Sequence, residues 1–140
     1  MQQTLSIIKP DATNNPVVRE HIHALLERRG LSIIKLRRVL LTHDRAQEFY
    51  AEHQGKHFFD GLIHFMCSGH IYVQILEGEQ AIERYRQLMG ATNPAKAGVD
   101  TIRGQYGRST MQNAVHGSDS AASAQREIHF FFPELRETVR

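Results

Sequence analysis

Nine histidines occur in the chain, and one of them, His116, stands in the stretch NAVHGSDS (113–120) between small residues. A neutral imidazole is a competent nucleophile near pH 7, because its ordinary pKa is about 6.5. One ring nitrogen can attack a phosphorus and hold the group covalently, provided an acceptor holds the other nitrogen in one tautomer. Glu127, about two turns into the helical stretch that follows, is placed to orient the ring. Cations that could clamp phosphoryl oxygens are Lys9 in IKPD, Arg86 and Arg103 in TIRG, with Arg108 a lesser fourth. Ala114, Gly117 and Ser118 read as clearance for an incoming phosphate, and the start of the following helix as an added dipole behind it.

Spacing alone favours a plainer alternative, a strand running into a capped helix with His116 a satisfied buried histidine. Neither GxxxxGK[ST] nor GxGxxG occurs, so a phosphate would have to be held by another device. His53 and His57 stand at i, i+4, but Gly55 between them breaks a helix and no third metal ligand is evident. The remaining histidines fit surface or boundary positions. Phe58 and Leu62 read as core residues, or else as a platform for a nucleobase.

The elements that must position these groups follow from periodicity. TLSII (4–8) predicts a short strand stopped by Pro10, and 16–30 a helix whose inner face holds Val18, Ile22, Leu25 and Leu26. Residues 31–41 alternate and predict a strand with Ile34, Leu36 and Leu40 facing inward. Two short helices (44–55 and 57–66) meet at Gly55, followed by a strand at 70–76 and a helix at 79–90. Residues 91–112 show little periodicity and predict a long ordered loop of functional use. A short strand then carries His116, and a helix over 121–132 begins at Asp119 or Ser120. The order is that of a ferredoxin-like βαββαβ α+β fold, a four-stranded antiparallel sheet with helices on one face. That fold serves enzymes and RNA-binding modules alike, so function rests on the site. An RNA reader of this class needs an aromatic-rich strand motif that this chain lacks.

With 140 residues, a single domain spanning 1–140 is expected. The formal net charge of +2 argues against nucleic acid as the main partner, leaving room only for a secondary affinity. One cysteine excludes an internal disulfide and fits a reducing, cytoplasmic setting. No signal peptide or membrane-length apolar run is apparent.

Along essentially its whole length the chain resembles nucleoside diphosphate kinases of bacterial type. The resemblance is carried by SIIKPDA (6–12), FYAEHQGKHFFDGL (49–62), RQLMGATNPA (86–95), GVDTIRG (98–104) and NAVHGSDS (113–120). It implies γ-phosphoryl transfer, mainly from ATP, to nucleoside diphosphates by a ping-pong route through phosphorylation of His116 at Nδ1. It implies that Lys9, Tyr50, Arg86, Thr92, Arg103 and Asn113 bind phosphates or ribose. Phe58 would stack on the base beside Leu62, Glu127 would orient His116, and Ser118 would join that network. Mg²⁺ would arrive on the nucleotide phosphates, with no metal site of the protein's own. Such enzymes are homo-oligomers, tetramers or hexamers and less often dimers. His57, His70 and Arg19 depart from the residues usual in the family (proline, proline and glycine).

Overall fold

The computed structural model describes residues 1–136, and the end of the expected polar tail lies outside them. Four strands form one antiparallel sheet in the order β2-β3-β1-β4: β1 (Gln2–Ile8), β2 (Ser32–Val39), β3 (Ile71–Gly78) and β4 (Val115–Gly117). The central pair, β1 and β3, runs in register from Gln2↔Gly78 to Ile8↔Tyr72. The βαββαβ order is as predicted.

Helices cover both faces of the sheet, not one. On one face α2 (Pro16–Arg28) and α5 (Ala81–Met89) enclose Ile8, Ile22, Leu26, Leu76, Tyr85 and Val115. On the other, α3 (His43–Phe49), α4 (Phe59–Met66) and α7 (Ala121–Phe131) enclose Leu5, Ile7, Ile63, Ile71, Val73 and Phe131. The added helical hairpin and the last helix had to go somewhere, and the exposed back of a ferredoxin-like sheet is apolar enough to take them. Hence β1 and β3 are buried on both sides; even Thr4, Ser6 and Gln74 are covered.

The predicted inward face of β2 is corrected. Ile34, Leu36 and Leu40 are 41%, 50% and 56% exposed, while Leu31 and Leu41 are buried and Ile33 and Val39 pack on the cores. An irregularity in the β2–β3 pairing between Ile33 and Lys35 shifts the alternation. As the outermost strand, β2 also has one unpaired edge.

Two short helices escaped periodicity because neither is long enough to display it. One is α1 (Pro10–Thr13), which opens on Pro10 directly after β1. The other is α6 (Ile102–Tyr106), inside the segment read as loop, with Thr101 Oγ1 accepting from Gly104 N at 3.0 Å. Gly90 ends α5 at φ 85, and a Cβ there would lie 2.5 Å from Thr101 Oγ1. Only glycine lets the start of α6 approach this closely. At α7 the N-cap is Ser120, whose Oγ accepts from Ser123 N at 3.1 Å.

Candidate active site

The register Ile7↔His116 lays β4 beside the end of β1, so His116 comes next to the corner that carries Lys9. The turn before His116 is strained. Ala114 has φ 76, and Val115 N donates to Asn113 O at 2.9 Å, closing a three-residue γ-turn. Two bonds from the β1–α1 corner hold that conformation. Lys9 N donates to Ala114 O at 2.8 Å, and Ala114 N donates to Asp11 Oδ2 at 3.1 Å. Such strain persists only where surrounding bonds over-determine it. Asp11 was visible in the IKPDA stretch, but nothing in its spacing announced this partner.

The His116 ring is fixed from one side. Nε2 lies 3.0 Å from Glu127 Oε1, and Ser118 Oγ donates to the same oxygen at 2.8 Å. A carboxylate only accepts, so Nε2 carries the hydrogen and the neutral ring keeps its lone pair on Nδ1. Phe49 and Tyr50 meet the ring edge-on, at centroid distances of 5.6 and 6.4 Å. Tyr50 is buried and its hydroxyl has no hydrogen-bond partner among the described residues. Burial, and after it the charge of Glu127, pushes this phenol well up, so it remains a neutral donor.

The cations gather opposite. Lys9 is buried, with Nζ 2.8 Å from Asn113 Oδ1 and 3.3 Å from Met111 O. Burial first, then the charge of Arg103, brings its pKa down to about 8, partly offset by Asp11. Asn113 is itself anchored, donating to Thr92 O at 3.0 Å and Thr110 O at 2.9 Å. Arg103 rides on α6 and is buried. It donates to Gly90 O at 3.0 Å and Val115 O at 2.9 Å, which ties α5, α6 and β4 together. Arg86 projects from the exposed side of α5. Phe58 precedes α4, half-buried, with the rings of His53 and His57 at 5.5 and 5.6 Å, and Leu62 lies one turn further on.

These groups share one open cleft of about 960 Å³. Lys9, Tyr50, Phe58, Leu62, Arg86, Thr92, Arg103, Asn113, His116 and Glu127 all contribute to its walls. Ser118 does not; it lies behind Glu127. Arg108 is absent from these walls and lines a separate cavity. Among the described residues no group of three His, Cys, Asp or Glu side chains is placed to hold a metal ion.

The reading of the small residues as clearance is corrected in part. Ala114 and Ser118 are buried and face inward. Gly117 lines the cleft, but a Cβ there would sit 2.7 Å from both the Tyr85 ring and Met89 Cε. Its smallness lets β4 lie against α5. Phe49 and Met111, also in the cleft walls, are further residues that spacing did not single out.

An open cleft with an oriented imidazole and three basic side chains in its walls invites comparison with known proteins. The family model for nucleoside diphosphate kinase matches residues 2–136. A nucleoside diphosphate kinase of Glaesserella parasuis serovar 5 (strain SH0165) is 53% identical over 132 residues, covering 94% of this chain and 95% of the relative. The solved nucleoside diphosphate kinase of Aquifex aeolicus superposes with a TM-score of 0.87 at 38% identity, covering 94% of each chain. That of Halobacterium salinarum, solved in complex with CDP, gives a TM-score of 0.88 at 38% identity, over 94% of this chain and 87% of its own. With sequence, fold and cleft in agreement, the chain belongs to the nucleoside diphosphate kinase family, enzymes that move a phosphoryl group from a nucleoside triphosphate to a nucleoside diphosphate.

Proposed function

We propose that His116 is the nucleophile of this transfer and that the reaction runs in two displacement steps. The single observation that carries the reading is the Nε2–Glu127 bond, which leaves Nδ1 as the free nitrogen of a ring that lines the cleft. In the first step the Nδ1 lone pair forms a bond to the γ-phosphorus of ATP. The bond from that phosphorus to the β–γ bridging oxygen breaks, and ADP leaves. In the second step a terminal oxygen of an incoming diphosphate attacks the phosphohistidine, the P–N bond breaks, and its electron pair returns to Nδ1. Glu127 stabilises the positive ring as the P–N bond forms, and Ser118 holds the carboxylate in place.

Lys9, Arg86 and Arg103 offset charge on the transferring oxygens. The Tyr50 hydroxyl, kept neutral and without a partner among the described residues, is available to donate to the same group. Asn113 and Thr92 contact phosphate or ribose, and Phe58 with Leu62 supports the base by stacking, which tolerates any base. Mg²⁺ enters as part of the substrate, on the nucleotide phosphates. Such an ion keeps several waters and is held largely by substrate phosphates, which suits a substrate-borne ion better than a protein cage.

A homo-oligomer, tetramer or hexamer, is supported by the exposed apolar Ile34 and Leu36 on the unpaired edge strand β2 and Leu40 just after it. No helix among the described residues is long and apolar enough to cross a membrane. A cytoplasmic site of action fits the nucleotide substrates. The test is intact-protein mass spectrometry after ATP, with and without a diphosphate acceptor. One phosphoryl group should add, be discharged by the acceptor, and be absent from His116→Ala. Unchanged labelling of that variant would overturn the assignment.

A further inference from the structure

Three basic side chains play no part in the cleft and meet elsewhere. Arg19 on α2, Arg38 on β2 and Arg108 after α6 line a second cavity of about 800 Å³, on the other side of the β1–α1 corner. Arg38 and Tyr72 are register partners on β2 and β3, so their side chains stand side by side on one sheet face. Arg19 lies over the Tyr72 ring at 4.9 Å and donates to Thr13 O. Tyr72 thus seats the Arg19 guanidinium, with Arg38 on the neighbouring strand beside it. The side chains of Arg38 and Arg108 form no hydrogen bond or ion pair with the described residues. Among the described residues Asp11 supplies the one carboxylate in the wall; its Oδ2 accepts from Ala114 N, its buried Oδ1 has no partner there, and its charge acts on Arg108. His70 adds an imidazole.

We propose that this cavity is a second oxyanion site, taking a compact, multiply charged phosphate compound of the pyrophosphate class, separate from the catalytic cleft. Three guanidiniums against one carboxylate leave surplus positive charge in a concave wall, where forked donors suit adjacent phosphate groups. The two cavities share one strap of chain. Arg108 N and Ser109 N both donate to Gln112 O, at 2.7 and 3.3 Å, closing a tight turn. The base of that turn, Arg108 and Gln112, faces the second cavity, while Thr110 and Met111 face the cleft. Met111 O and Asn113 Oδ1 are the acceptors of Lys9 Nζ. An anion drawn to Arg108 therefore acts on the segment that positions Lys9.

The test is calorimetric titration of the full chain with inorganic pyrophosphate, free of metal and with ADP in excess, alongside amide ¹H–¹⁵N spectra. One pyrophosphate per chain should bind while ADP is present and shift the Arg108 and Gln112 amides. Binding should weaken by roughly tenfold or more in the Arg38→Gln/Arg108→Gln double variant, since each lost fork removes a charge-assisted contact. Among the described residues that variant removes no side-chain hydrogen bond. Arg28→Gln, which removes one exposed charge from the end of α2, should bind as the wild type does. Orthophosphate should bind more weakly than pyrophosphate. Displacement by ADP, equal loss in Arg28→Gln, or equal affinity for the two anions would each overturn the proposal. The role of the cleft is read separately, from whether ADP alone shifts the Gly90 and Gly117 amides.

Discussion

If Glu127 sets the His116 tautomer, then Glu127→Gln and Glu127→Ala should slow phosphorylation by different routes. In the Ala variant the ring loses one hydrogen bond to a charged acceptor, 3.0 Å long, from a carboxylate that is almost wholly buried. Such bonds contribute about 1.5–3 kcal/mol, and each ~1.4 kcal/mol is tenfold in rate. The expected loss is therefore about 10- to 150-fold in the single-turnover rate of enzyme phosphorylation by ATP. The Gln variant keeps the shape but adds a donor. Ser118 Oγ also accepts, from Leu5 N at 3.4 Å, so its hydroxyl can turn to either end of the amide. When the amide NH₂ faces the ring, Nε2 must accept, the hydrogen moves to Nδ1, and the nucleophile is blocked. Wrong-tautomer penalties reach about 10⁴ in the best-studied triad, so Gln exceeds Ala in damage when the NH₂ faces the ring, and loses only the charge when the amide oxygen takes the place of Oε1. Rapid-quench measurement of phosphoenzyme formation gives the rates, and ¹⁵N shifts of the ring give the tautomer directly. A Gln variant within about twofold of wild type would refute the reasoning, because one charge-assisted bond is worth more than that.

Asp11→Ala should release the γ-turn at Ala114 and cost about 1–3 kcal/mol for the orphaned amide. Urea denaturation reads the stability and kcat/KM the disordered nucleophile. Gly117→Ala places a methyl 2.7 Å from Tyr85 and Met89. It should destabilise by about 1–3 kcal/mol by overpacking, and a melting temperature equal to wild type would contradict the contact. Lys9 gives a pH prediction. Its pKa falls from 10.5 unfolded to about 8 folded, so the unfolded state binds more protons between those values. Wild-type stability should then rise with pH across that window relative to Lys9→Met, by about 3 kcal/mol in all. Taking the difference cancels the tyrosines, and denaturant curves at pH 7, 9 and 10.5 that stay parallel would argue against a buried, charged Lys9.

Much of this molecule was legible in its residue order. The inner faces of α2 and α5 follow from spacing, because a helix must bury one set of positions, whereas β3 alternates in sequence but is covered on both faces. The edge strand β2 was misread because its pattern looks like any half-buried strand. What exposes Leu36 is a pairing irregularity and a missing neighbour, and neither is local. Short α6 is invisible to periodicity because five residues cannot display a period of 3.6, yet it is the element that carries Arg103 into the cleft.

By itself the sequence determined the chemistry on offer: an imidazole flanked by small residues, a carboxylate two turns into the next helix, and cations near strand and helix ends. Only the tertiary structure decided which of these meet. Asp11 and Ala114 are 103 residues apart and are joined by the β1–β4 pairing. Lys9 finds Asn113 the same way. Arg103 and Arg108 differ by five positions, yet one turns into the cleft and the other into the opposite cavity. The direction of a side chain is fixed by the packing of the element that carries it, and that packing is settled by residues far away in the chain.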